Sequence, residues 1–276
     1  FHLLGLRFAL AALIFLIIQL CGFVKINLKG KDLGKLAILT LMEPIIYFIC
    51  ETAGVNLTTS SEAAIIMSMV PVFTTIFSAV YLKEKPTIFQ SVFIFISVLG
   101  IIFMTVMKGS FLVGANIFGT FILMGSVISA GIYNTLSRKL STEFSPVEIT
   151  YAMILVGAVV FNSISVIQHL AKGNLSNYFY PLINIRTLAS IVYLGAFASI
   201  FAYFLLNYLL SQIEASRVSM ISNVATIISV VAGSIFRNEP IYWFNVIGGI
   251  MILAGVWGTN RFSQTDKFVM RLKEYH

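Results

Sequence analysis

Nine stretches of about 20 continuously apolar residues, separated by short polar links, constrain this chain more than any other feature. They run over 1–22, 35–56, 62–82, 88–107, 117–136, 148–169, 187–209, 216–236 and 241–260. Each is long enough to cross a hydrocarbon core as an α-helix. None alternates with period two, which excludes a transmembrane β-barrel. Composition agrees: of 276 residues, 58% are hydrophobic and 11% charged, against about 25% charged in a soluble domain. A soluble enzyme, a disordered chain and a disulfide scaffold are excluded. The two cysteines, Cys21 and Cys50, both sit in apolar runs as small hydrophobes. The sequence predicts an all-α, polytopic membrane protein.

The formal net charge of +7 does not point to nucleic acid, because the lysines and arginines cluster in the links. Thirteen fall on one side: Lys25, Lys29, Lys31, Lys35, Lys83, Lys85, Arg138, Lys139, Arg217, Arg261, Lys267, Arg271 and Lys273. Four fall on the other, Lys108, Lys172, Arg186 and Arg237, and Arg7 lies inside the first run. Positive charge stays cytoplasmic, so the C-terminus and the polar tail 262–276 are expected inside a bacterial-type plasma membrane. Nine spans then place Phe1 outside, with one further helix expected before it.

An internal repeat is visible at an offset of 156 positions. YFICETAGVNLTTSSEAAIIMSMVP, from Tyr47, aligns with YFLLNYLLSQIEASRVSMISNVATI, from Tyr203, placing Ser60 on Ser216. With a one-residue gap Glu84 falls on Glu239 and Gly100 on Gly255. A five-helix unit makes the second half complete at 117–260 and leaves the first half one helix short. An odd number of helices inverts one half relative to the other, the arrangement of many alternating-access transporters.

RFALAALIF near the start, EPIIYFICETAGVNLTTSSEAAII, the Pro71 region, LKEKPT and RNEPIYWFNVIGGIMILAGV together resemble the EamA-type branch of the drug/metabolite transporter superfamily. The resemblance covers nearly all of 1–260. It implies a polytopic helical bundle of two inverted five-helix repeats, here 1–110 without its first helix and 111–261, and a central substrate cavity. It also implies export of small metabolites such as amino acids, with multidrug export as the alternative.

Ionisable groups within spans are the most informative residues, since each costs at least ~2.5–3.5 kcal/mol to insert without a partner or water. They are Arg7, Glu43 and Glu51. Glu43, Tyr47, Cys50, Glu51 and Gly54 recur at helical spacing and are expected on one face lining a cavity. Arg7 and Glu51 lie at matching depths, about 9 Å and about 6–8 Å below their helix ends. The expectation is that Arg7 pairs with Glu51 or binds a substrate carboxylate. Tyr133 and Asn134, Tyr203 and Asn207, and Asn223 supply neutral donors and acceptors on three other helices. A role between helices is the alternative for each. Pro71 removes a backbone donor mid-span and is a candidate hinge. His169 reads as an exposed loop histidine.

No metal-ligand spacing, phosphate loop or nucleophile motif is present, so no cofactor and no enzymatic activity are expected. The expected partners are a small-molecule substrate and the lipid bilayer, with protons exchanged at Glu43 or Glu51 as the coupling ion; facilitated diffusion without coupling is the alternative. A non-transporting scaffold is the remaining alternative, and the several polar helix faces argue against it.

Overall fold

A computed structural model describes residues 1–58, 60–107, 117–175, 178–237 and 240–262. All nine apolar runs are helical, and no strand occurs among the described residues. The helices are α1 (His2–Leu20), α2 (Leu33–Leu57), α3 (Ala63–Tyr81), α4 (Ile88–Met107), α5 (Ile117–Leu140), α6 (Pro146–Ala171), α7 (Ile185–Gln212) and α8 (Ala215–Phe236), then α9 (Trp243–Arg261). The first eight are long and apolar enough to cross a membrane. The 19-residue α9 is outside that set, its hydropathy lowered by Asn245, Thr259 and Asn260. The chain is thus an all-helical polytopic membrane protein with eight or nine spans. Lys108, Glu239, Lys267, Arg271, Lys273 and the rest of the tail from 263 lie outside the described residues, as do the side chains of Ser61 and Arg237.

Local chemistry sets the helix ends. Helix α1 stops at Cys21, where Gly22 takes φ 78°, a left-handed conformation that costs glycine nothing. Asp32 caps α2 by accepting from the Gly34 amide at 3.0 Å. Pro146 opens α6 behind a capping box in which Ser145 and Glu148 serve each other's backbone amides.

Four spans are irregular. In α2 the helix is kinked within Leu41–Ile46, where Glu43 has an extended backbone (φ −139°, ψ 121°) before Pro44. A residue that precedes proline is pushed out of the helical region, and proline itself donates nothing. The Glu43–Pro44 peptide is cis. In α7 a wide turn covers Leu194–Phe201. Helix α3 is interrupted at Ser68–Met69 and α8 at Asn223. Pro71 sits in the first turn of the restarted α3 helix, where a missing N–H is harmless. The break expected at Pro71 therefore lies two to three residues before it.

The chain forms two compact units. The first comprises Phe1–Ile46 and Ser137–Gln212, the second Tyr47–Leu136 and Ile213–His276, so each draws on both halves of the sequence. In the first, α6 is the common neighbour of α1, the Leu41–Ile46 turn and the end of α7. Ala11, Phe15 and Ile154 form its core with Tyr151 and Ile200 packed around them. Arg138 caps the end of α7, donating to the Leu210 and Ser211 carbonyls at 3.1 and 2.9 Å. In the second unit α4 packs closely along α9, with Ile101, Met104 and Ile252 buried between them. Ile88 and Phe236 are each 83% exposed, and Phe95, Phe121 and Ile250 are also exposed. Such outward apolar side chains suit lipid.

Candidate functional site

In the first unit the polar groups inside the spans gather on α1, α2 and α7. Arg7 Nε donates to Ser199 Oγ at 3.1 Å. Its guanidinium carbon stands 5.0 Å from the centre of the Phe8 ring, within cation–π range. Ser199 lies in the wide turn of α7 and donates to the Leu194 carbonyl five residues back, at 3.0 Å. The wide turn brings Ser199 to α1, where the Gly195 position lies against the Arg7 backbone. Glu43 and Tyr203 are both buried. Asn207 is fully buried: its Oδ1 accepts from Ser137 at 2.8 Å, and its Nδ2 donates to Thr150 Oγ1 at 3.1 Å. It ties α5, α6 and α7 together.

In the second unit Tyr47 donates its hydroxyl hydrogen to Glu51 Oε1 at 3.2 Å, one helical turn away. The other members of the expected stripe do different work. A Cβ on Gly54 would lie 2.5 Å from Leu123 Cγ, and one on Gly125 would lie 3.1 Å from Cys50 Sγ. Cys50 and Gly54 therefore form the packing edge against α5, while Tyr47 and Glu51 form a polar edge beside it. Glu43 does not extend this stripe in straight helical register, because the backbone leaves the helix at Glu43–Pro44. Tyr133 is fully buried. Asn134 Nδ2 donates to Thr74 Oγ1 at 3.3 Å, joining α5 to α3. Asn223, at the break in α8, donates from Nδ2 to Ser97 Oγ of α4 at 3.1 Å.

All three asparagines expected in the site thus bridge helices. The two carboxylates, Arg7 and the three tyrosines are the remaining candidates for contact with a solute.

Sequence reading passed over two further carboxylates. Glu148 accepts from Lys31 Nζ at 2.6 Å, the Ser145 amide at 2.8 Å and the Asn27 amide at 3.1 Å. It pins the link between α1 and α2 to the start of α6. Buried Glu214, just before α8, accepts from Gln90 Nε2 at 3.4 Å. The S-P-x-E capping pattern was a signal for Glu148. For Glu214 no local signal exists. His169 is not in an exposed loop: it is half-buried in the last turn of α6, in contact with His2 and Tyr178. Among the described residues no three histidines, cysteines or carboxylates gather as a metal site would require.

The chain matches the model of the EamA-like transporter family over residues 1–106 and 117–261. It is 38% identical over 260 residues to an uncharacterized transporter, YcxC, of Bacillus subtilis, spanning 94% of this chain and 83% of that one. An uncharacterized transporter of Archaeoglobus fulgidus is 29% identical over 253 residues, spanning 92% and 86% respectively. A solved protein crystal structure shares the fold with a TM-score of 0.78 at 12% identity, over 96% of this chain and 87% of that one.

Proposed function

The chain belongs to the EamA-like transporter family and is a multi-pass membrane transporter, not an enzyme; on that premise we propose that it exports small polar metabolites, amino acids first, by alternating access. The observation that carries the mechanism is the pairing of its irregular helices. The kink of α2 (Leu41–Ile46) has its counterpart in the wide turn of α7 (Leu194–Phe201). The interruption of α3 at Ser68–Met69 has its counterpart at Asn223 of α8. Both pairs fall within a few residues of the offset that relates Tyr47 to Tyr203. This supports reading 1–110 and 111–261 as inverted repeats, the first lacking a helix. In transporters built this way, interrupted helices supply the solute contacts and the bending points. Pro71, at the restart of α3, is the proposed hinge.

Arg7 is the proposed anchor for a substrate carboxylate, because its planar fork matches that group and Ser199 orients it. Tyr47, Tyr133 and Tyr203 are the proposed phenol contacts, and Asn134, Asn207 and Asn223 hold helices in register within their own units. Glu43 and Glu51 are the proposed proton-exchanging groups. The lysine and arginine bias supports a plasma-membrane orientation with the C-terminus cytoplasmic.

The test is flux in proteoliposomes containing the full-length protein, comparing a pool of labelled amino acids with bulky organic cations, with and without an imposed pH gradient. Saturable amino-acid flux is expected, reduced at least about tenfold in Glu51→Gln if that carboxylate contributes a charge-assisted contact. Flux of the cations alone would replace this reading with drug export. No flux of either class would remove the substrate assignment.

A further inference from the structure

At one end of the first unit, the start of α1, the end of α6 and the segment after it hold two imidazoles whose ring hydrogens are already committed. His2 Nε2 lies 3.0 Å from the Tyr178 carbonyl oxygen. His169 Nδ1 lies 3.3 Å from the Asn174 carbonyl oxygen and 3.0 Å from Asn174 Oδ1. Carbonyl oxygens only accept, so each of these nitrogens carries its hydrogen. In a neutral imidazole the other nitrogen is then a bare lone pair. Those two nitrogens, His2 Nδ1 and His169 Nε2, face each other at 3.3 Å. Two lone pairs at that distance repel unless a positive centre sits with them.

The geometry points to a metal ion as that centre. Bonds of about 2.0–2.1 Å at a tetrahedral angle place two zinc-bound imidazole nitrogens about 3.3–3.4 Å apart. A metal-binding imidazole also characteristically donates its remote N–H to a carbonyl or carboxylate, which fixes its tautomer and orientation. Both histidines here do so. The rings are held in place: their centres are 4.7 Å apart at 75° to each other. Tyr178 packs on both, at 4.8 and 5.5 Å. Burial raises the Tyr178 phenol above its ordinary range. Its hydroxyl donates to Asn162 Oδ1 at 2.5 Å, and Asn162 Nδ2 donates to the Gly5 carbonyl at 3.0 Å.

We propose that His2 and His169 form a site for one imidazole-seeking divalent metal ion of the zinc class. No third histidine, cysteine or carboxylate among the described residues joins them, so water completes the shell and the affinity is micromolar rather than nanomolar. The bound ion would fasten the start of α1 to the end of α6.

The test titrates zinc chloride into the purified, tag-free full-length protein, by calorimetry at pH 7. The expected result is one ion per chain. His2→Asn and His169→Asn each weaken binding by at least about tenfold, and His276→Asn, in the tail, leaves it unchanged. Cobalt chloride gives the visible absorption of a tetrahedral site in the wild type and in neither of the first two variants. If those variants do not fold, the wild-type stoichiometry and cobalt spectrum decide. No binding below about 1 mM, or binding lost only in His276→Asn, would overturn the proposal.

Discussion

Alanine in place of Arg7 is expected to cut solute flux about 100-fold while the protein still inserts and folds. A guanidinium that engages a carboxylate through paired, charge-assisted hydrogen bonds contributes about 2–3 kcal/mol, which is a factor of about 30–150. Removing the charge does not impede insertion, because an arginine within a span is itself unfavourable there. The Ser199 hydroxyl keeps its bond to the Leu194 carbonyl in the variant, so no donor is orphaned. Arg7→Lys retains the charge and loses the fork, and is expected between the two, about tenfold below wild type. Initial rates in proteoliposomes, normalised to inserted protein, are the measurement. Wild-type rates and KM in Arg7→Ala would make Arg7 a structural residue.

The largest effect on folding is expected at Gly255. A Cβ there would meet Ser97 Cβ at 2.5 Å and the Phe93 carbonyl oxygen at 2.7 Å. Backbone cannot rotate away, so a side chain at this position forces α4 and α9 apart. Gly248 makes a similar approach, its Cβ position falling on the Met104 side chain and 2.8 Å from the Gly100 carbonyl oxygen. Gly255→Leu is expected to destabilise by more than about 3 kcal/mol, leaving little monodisperse protein after detergent extraction. Gly249 is the internal comparison: nothing lies within 4 Å of its Cβ position, and Gly249→Ala is expected to behave as wild type. Equal recovery of both variants in size-exclusion chromatography would contradict the packing described for α4 and α9.

The helices were legible because lipid demands long apolar runs, and the chain meets that demand nine times. Their interruptions were only half legible. Pro71 drew attention to α3, yet the same rule applied to Pro44 marks the kink at Glu43, and the straight stripe from Glu43 to Gly54 ignored it. Asn134, Asn207 and Asn223 looked like cavity residues from spacing alone. Whether an amide points to a solute or to the next helix depends on the neighbour, and Thr74, Thr150 and Ser97 are far away in sequence. His2 and His169 meet across 167 positions, through hydrogen bonds to carbonyls that carry no side-chain signal. Family resemblance, by contrast, was readable from continuous motifs, since it rests on residue order rather than on contacts.

The central claim, that one bound solute is exposed to the two sides of the membrane in turn, is tested most directly by counterflow. Proteoliposomes preloaded with an unlabelled transported amino acid are diluted into a trace of the same labelled compound, with no ion gradient. Alternating access predicts a transient accumulation of label above its external concentration, followed by decay, and its absence from protein-free vesicles. Label that only approaches the external concentration, with no overshoot and no saturation, would contradict the account and indicate a passive pore.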